Sequence, residues 1–199
     1  MKELVGNIDI YLLDQILKGR YEQSQRILDA GCGGGRNLFY FLQQGVEVYG
    51  IDAKEDAITS LKTWCQEQFP AYPLARFQVQ TIEKMPFEEA FFDVVISNAV
   101  LHFAPNKAHF EQQLQAMWRV LKPQGHLFVR LASSIGIEDK IIAVGAGQFL
   151  LPDESIRFLV TEADILHYTQ QLGGILTEYL KTTNVQGLRA MTTWCLQKP

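Results

Sequence analysis

The sequence predicts an α/β fold: one seven-stranded, mostly parallel sheet, doubly wound with helices on both faces and closed by an antiparallel last strand. Three observations predict it. Short apolar runs alternate with helical stripes from residue 26 to residue 131. A glycine-rich loop follows the first apolar run without a spacer. The tail carries two runs rich in Thr, Tyr, Trp and Val around a turn at Gly187, the pattern of an antiparallel hairpin. At 199 residues the chain suits one domain with a full core, spanning 1–199.

The elements follow in order. Ile8 to Lys18 has a helical pattern stopped by Gly19, within an N-terminal helical segment over 1–20. Arg26 to Ala30 is a strand that enters Gly31 to Gly35. Asn37 to Gln44 reads as a helix ended by Gly45, and Val46 to Ile51 as the second strand. Ala57, Ile58, Leu61, Trp64 and Cys65 share one helical face. Leu74 to Val79 is the third strand. Phe92 to Ser97 is a continuous apolar run, as expected of a strand covered on both faces. Phe110, Leu114, Met117 and Leu121 form the next helical stripe, closed by Pro123 and a Gln124-Gly125 turn. Leu127 to Leu131 is the fifth strand.

The last third is less regular. Residues 132–160 contain Gly136, Gly145, Gly147 and Pro152, too broken for a simple crossover, and the expectation is a lid on the substrate side. A helix over Glu162 to Gln171 follows, then a break at Gly173-Gly174. Ile175 to Val185 and Met191 to Gln197 are the hairpin strands.

Composition narrows the function. With 47% hydrophobic and 20% charged residues the chain is not disordered. Acidic residues outnumber basic ones, 22 to 18, for a net charge of −4, so no nucleic-acid partner is expected. Met1 to Asn7, with Lys2 and Glu3, has no apolar signal, and no run of about 18 apolar residues predicts a membrane span. Cys32, Cys65 and Cys195 are widely spaced and make neither a metal motif nor a redox pair, which predicts reduced thiols, a cytoplasmic location and no metal.

The chemistry concentrates in Ile27-Leu28-Asp29-Ala30-Gly31-Cys32-Gly33-Gly34-Gly35-Arg36-Asn37. Glycines let the backbone approach a ligand where a Cβ would collide, and the helix beginning near Arg36 would aim free N–H groups at it. Asp52 ends Tyr49-Gly50-Ile51-Asp52, 21 positions after Gly31, where a carboxylate can accept from two ribose hydroxyls. A helix cap is the competing role for Asp52. A dinucleotide fingerprint starting at Gly31 and Gly33 would need glycine at position 36, which is Arg36.

The loop instead resembles the D-x-G-x-G motif of class I S-adenosylmethionine-dependent methyltransferases. The resemblance continues in order through Val48 to Asp52, Met85-Pro86-Phe87, Phe92 to His102 and Val120-Leu121-Lys122-Pro123-Gln124-Gly125, covering about residues 26 to 131. It implies a Rossmann-like fold and S-adenosylmethionine as cofactor. Asp29, Gly31, Cys32, Gly33, Asn37 and Ala53 would bind the cofactor, with Gly33 beside its methionine portion, and Asp52 would hold its ribose. Adenine would be held by a backbone N–H, by the Ile82 side chain and by Thr81, beside Glu83, where family members often have an acid. Asn98 would offer its carbonyl to the methionine end, and Arg20 could reach the cofactor's carboxylate. Ala99-Val100-Leu101 after Asn98 departs from the motif of base-amino methylating enzymes. Gly35-Arg36-Asn37 is also similar to the tellurite-resistance methyltransferase branch.

Two residues are candidates for the acceptor side. His102 follows the fourth strand at its carboxyl edge and could take a proton from an acceptor hydroxyl or thiol. A half-buried structural histidine is the competing role. Arg130 interrupts Leu127-Phe128-Val129-Arg130-Leu131, where a guanidinium needs a partner or an opening to solvent. It would either hold an anionic acceptor or form an internal salt bridge, for example with a carboxylate in 138–154. His109, His126 and His167 read as surface residues. A chain of this size favours a small-molecule acceptor. A non-catalytic cofactor-binding module, an RNA methyltransferase and a nicotinamide-dependent oxidoreductase remain the alternatives.

Overall fold

The computed structural model describes residues 5–199, so Lys2 and Glu3 and the start of the 1–20 segment lie outside the described residues. Its main sheet is built from β1 (Arg26–Ala30), β2 (Glu47–Asp52), β3 (Phe77–Val79), β4 (Phe92–Asn98), β5 (Leu121–Ser133), β10 (Lys181–Val185) and β11 (Arg189–Gln197), in the order β10-β11-β5-β4-β1-β2-β3. Strands β1 to β5 pair in parallel; β11 runs antiparallel to β5 and β10 antiparallel to β11. A two-residue strand, β9 (Ile175–Leu176), adds to β11. The predicted sheet and its closing hairpin are therefore present.

Alternation along the strands divides the core between the two faces. Ile27, Val48, Val94, Ile96 and Phe128 lie in one cluster with Leu12, Phe41, Ile58 and Leu61. These helical residues come from α1 (Ile10–Leu17), α2 (Phe39–Gln43) and α3 (Glu55–Gln68). Leu28, Val95, Leu127, Val129 and Trp194 lie in the other, with Phe110, Leu114 and Ile165 from α4 (Lys107–Val120) and α5 (Glu162–Gln171). Each such fully buried side chain contributes about 1.5–3 kcal/mol. The indole of Trp194 is fully buried, and its N–H is satisfied by the Thr169 hydroxyl at 3.0 Å.

Several expected elements differ. The helix after the glycine loop is only Phe39–Gln43, because residues 36–38 form turns first. Leu74–Arg76 is a 3-10 turn and only Phe77–Val79 pairs as strand. Leu121 starts β5 and does not end the helix; the Pro123-Gln124-Gly125 segment is a bulge inside β5, with Gln124 at φ +64°. A Cβ at Gly125 would lie 2.9 Å from the Lys122 carbonyl and 3.0 Å from that of Asp93, so the bulge requires glycine. The run from Ile175 is split, pairing at 175–176 and again from Lys181.

The 132–160 excursion is structured. β5 continues to Ser133, and then β6 (Ile142–Gly145), β7 (Gln148–Leu150) and β8 (Ile156–Phe158) form a separate antiparallel sheet. It is anchored by a small cluster of Ala132, Ile137, Leu151, Leu159 and Ala190. This places the excursion over the carboxyl edge of the main sheet.

Candidate active site

The chain runs from β1 through β3 to one side of the sheet, then returns to start β4 on the other side of β1. Ligands of open α/β sheets bind at such a reversal, at the carboxyl ends of the strands. Ala30 pairs with Ile51 and Asn98 with Arg130, so the ends of β1, β2, β4 and β5 meet at one edge.

The glycine loop is held on its own sheet. The N–H groups of Gly31 and Cys32 both donate to the Ile51 carbonyl, at 2.8 and 2.9 Å. Gly31 has φ +89°, and a Cβ there would lie 2.3 Å from Val100. Gly33, at φ +51°, has open space where its Cβ would stand. Its N–H donates to Asp52 Oδ2 at 2.9 Å, while Asp52 Oδ1 accepts from the Lys54 N–H at 2.9 Å. Asp52 thus ties the loop to the tip of β2 and holds the turn that leads into α3, whose N-cap position is Lys54. Ala53 is exposed beside it.

Several buried polar groups here are unpaired among the described residues. Both carboxylate oxygens of Asp29, which is 1% exposed, lack a hydrogen-bond partner, as do both amide atoms of Asn98 and the Thr81 hydroxyl. Burial pushes the Asp29 carboxyl up to about 7; Arg36 and the Asn37 side chain oppose the shift and the nearby Asp52 reinforces it. Leaving such groups unsatisfied costs about 1–3 kcal/mol each, so a ligand is the natural counterpart. Open space at Gly33 beside orphaned acceptors fits a nucleoside with a cationic arm.

Other residues of the predicted set have structural work. The Asn37 amide oxygen accepts the Asp9 N–H at 3.1 Å, and Arg36 lies 3.5 Å from the Asp9 carboxylate, so both hold the N-terminal helix. The Cys32 thiol is buried against Gly50, where a Cβ would lie 3.0 Å from the sulfur, and burial pushes the thiol up. The Ile82 side chain packs into the core cluster. Glu83 faces His109 of α4 at 3.4 Å. Arg20 is a clear correction. Its guanidinium donates to the Thr177 carbonyl at 2.9 Å and sits 3.7 Å from Glu178, beside a cleft at the amino edge with Asp93 and His126. It is at the wrong end of the sheet for the cofactor.

His102 and Arg130 do come together. Both line a cavity of about 260 Å³ with Ala99, joined by Asp153 and Arg157 from the excursion and Arg189 from β11. A larger cleft of about 500 Å³ lies at the amino edge around Tyr21, Gln25 and Glu47; no side chain lining it is a buried unpaired polar group among the described residues. Size alone does not make it the site.

His102 is 6% exposed, and its Nδ1 accepts the Ala132 N–H at 3.2 Å. That bond places the ring hydrogen on Nε2, so the ring is a donor there, and the proton-removing role expected of it is not supported. Burial, with Arg157 and Arg130 nearby, brings its pKa down to about 4. The folded state therefore favours neutral His102. This contribution is complete above the ordinary value of 6.5 and is lost as pH falls toward about 4. His102→Gln should reduce the loss of thermal stability between pH 7 and pH 4, and a slope equal to wild type would remove His102 as its source.

Arg130 has a partner that the sequence reading did not find. Its Nη1 lies 3.4 Å from Asp9 Oδ2, and its guanidinium carbon 5.1 Å from the Tyr11 ring centre. The internal salt bridge weighed for it is present, but its carboxylate is Asp9 and not one in 138–154. Asp9, 5% exposed, also caps α1 by accepting the Tyr11 N–H at 2.9 Å. One buried carboxylate thus joins the N-terminal helix, the glycine loop and β5. A polar residue directly before Ile10-Tyr11-Leu12-Leu13 was its only sequence signal.

This fold and loop define a nucleoside-binding α/β protein, and comparison with known proteins defines it further. A family model described as a methyltransferase domain matches residues 28–129. The chain belongs to that family, the class I S-adenosylmethionine-dependent methyltransferases. An uncharacterized methyltransferase of Synechocystis is 34% identical over 101 residues, 51% of this chain and 44% of that protein. Arsenite methyltransferase of Mus musculus is 34% identical over 113 residues, 52% of this chain and 29% of that protein. The chain thus spans less than half the length of these relatives. Among solved structures, a Methanosarcina mazei S-adenosylmethionine-dependent methyltransferase superimposes with TM-score 0.73 at 21% identity, covering 92% of this chain and 96% of that one. Burkholderia thailandensis 1,6-didemethyltoxoflavin-N1-methyltransferase, solved with bound 1,6-didemethyltoxoflavin and S-adenosylhomocysteine, gives 0.69 at 20% identity, covering 92% and 75%. No helix among the described residues is long and apolar enough to cross a membrane, and no group of three His, Cys, Asp or Glu among them could hold a metal ion.

Proposed function

We propose that the protein transfers a methyl group from S-adenosylmethionine to a small polar acceptor seated in the cavity between His102 and Arg157. The observation that carries this reading is the joining of two sites at Asn98-Ala99. Asn98 carries orphaned polar atoms on the glycine-loop side, and Ala99 lines the cavity. Asp52 would receive the ribose hydroxyls, Thr81 a polar edge of the adenine, and Asn98 the methionine arm, with Asp29 facing its ammonium. When bound, the cofactor supplies a methyl group on a positively charged sulfur, open to in-line attack by an acceptor atom on the cavity side.

The chain's contribution is alignment and exclusion of water more than proton transfer. His102, neutral and donating from Nε2, would orient the acceptor. Arg130 would hold the N-terminal helix across the pocket through Asp9. The acceptor's proton leaves to solvent. The excursion would act as the cover, and its cavity suits a small molecule: about 260 Å³ against about 300–1,000 Å³ for drug-sized ligand sites.

An acceptor screen that reads out S-adenosylhomocysteine tests the reaction. Turnover with a small molecule supports it. Cofactor binding without any turnover would favour a non-catalytic module, and turnover only on RNA would overturn the small-molecule reading. A pH test addresses Asp29. An ammonium beside it stabilises its charged form, so S-adenosylhomocysteine should bind more tightly as pH rises through about 7. Calorimetry on Asp29→Asn should show that rise flattened; an unchanged profile would show that Asp29 does not face the ammonium.

A further inference from the structure

We propose that Arg157 and Arg189 form a binding site for an oxyanion on the acceptor, a carboxylate or a phosphate, and so select the substrate class. The proposal rests on the reading of the 260 Å³ cavity as the acceptor site. Three guanidiniums line that cavity, those of Arg130, Arg157 and Arg189, against the single carboxylate of Asp153. Arg130 faces Asp9, a carboxylate that it shares with Arg36. Among the described residues, neither Arg157 nor Arg189 has a carboxylate oxygen within 4.0 Å.

The surroundings leave these two side chains free to bind. Arg157 uses Nη1 on the Ile156 carbonyl at 2.7 Å, and its guanidinium carbon lies 4.9 Å from the centre of the Phe103 ring. That stacking fixes the plane of the fork while leaving its other N–H groups uncommitted. Asp153 accepts from the Ser155 N–H at 3.2 Å and from its hydroxyl at 2.6 Å. These bonds hold the Asp153 carboxyl below its usual range, with smaller help from Arg189 and Arg157, so it stays charged beside them. The cavity still has at least one uncompensated positive charge. Neutral His102 adds a donor and no further charge.

Arg157 stands on β8 of the excursion and Arg189 at the start of β11. An anion between them would bridge the small sheet to the main one, with two charge-assisted hydrogen-bonding forks. Acceptor recognition would thus lie mostly on segments outside the matched methyltransferase region at 28–129.

The test uses benzoate, phenyl phosphate and the neutral isostere benzamide as probes. Their binding to the full chain is measured by calorimetry with and without saturating S-adenosylhomocysteine. At least one anion should bind about tenfold or more tightly than benzamide, in line with hydrogen bonds to charged groups. The ranking of benzoate against phenyl phosphate tells carboxylate from phosphate. In a double variant, R157M with R189M, the preference should vanish while S-adenosylhomocysteine affinity is unchanged. The corresponding double lysine variant should retain part of it. Equal binding of benzamide, or an anion preference that survives the double Met variant, overturns the proposal. Anion preference without any S-adenosylhomocysteine binding would sustain the anion site and sink the methyltransferase reading instead.

Discussion

Gly33→Val is expected to leave the fold standing and abolish cofactor binding. At φ +51°, Gly33 faces open space, so no protein atom opposes a side chain there. The left-handed backbone costs the variant about 1–2 kcal/mol, which a domain of this size tolerates. The added isopropyl group would fill the space where the cofactor passes the loop. Gly31→Ala is the contrasting control. Its methyl group would stand 2.3 Å from Val100 at φ +89°, so folding itself should suffer. Thermal melting with S-adenosylhomocysteine titration separates the two: a folded Gly33→Val that still binds would place the cofactor elsewhere.

The second large effect is expected at Asp52. Its two oxygens accept from Gly33 and Lys54 N–H groups, and their remaining lone pairs are available for a ribose. Asp52→Ala should weaken S-adenosylhomocysteine by about 1.5–3 kcal/mol, as for loss of hydrogen bonds to a charged group. Asp52→Asn should recover the Lys54 contact only in part and lose the charge. An affinity in Asp52→Ala equal to wild type, measured by calorimetry, would restrict Asp52 to holding the turn.

What could be read from the sequence depended on how local each signal was. The strand of Phe92 to Ser97, the helix of Glu162 to Gln171 and the Met191 to Gln197 strand follow from apolar patterning within a few turns of chain, and all three are present. The loop was legible because its glycines and Asp52 are constrained by backbone geometry. Asp9 was not, because its partners Arg36 and Arg130 are distant in sequence and a single carboxylate carries no period. Arg20 misled for a related reason: proximity to β1 in sequence does not say at which end of the strand a side chain lies. The small sheet of the excursion was missed because β6 to β8 are three or four residues long. Ile142 and Val144 on β6 are moreover exposed, so the usual link between apolar residues and a buried face fails there. Arg157 and Arg189 had no distinguishing sequence signal; only the fold brings them to one cavity.

The central claim is that the cradle of Gly33, Asp29 and Asp52 holds S-adenosylmethionine at the edge where β1 and β4 diverge. Calorimetric titration of the full chain with S-adenosylhomocysteine, with nicotinamide adenine dinucleotide as the comparison ligand, tests it most directly. One S-adenosylhomocysteine should bind per chain, binding should be lost in Gly33→Val, and the dinucleotide, whose fingerprint needs a glycine where Arg36 stands, should give no heat. Dinucleotide binding at that site, or S-adenosylhomocysteine binding indifferent to Gly33→Val, would contradict it.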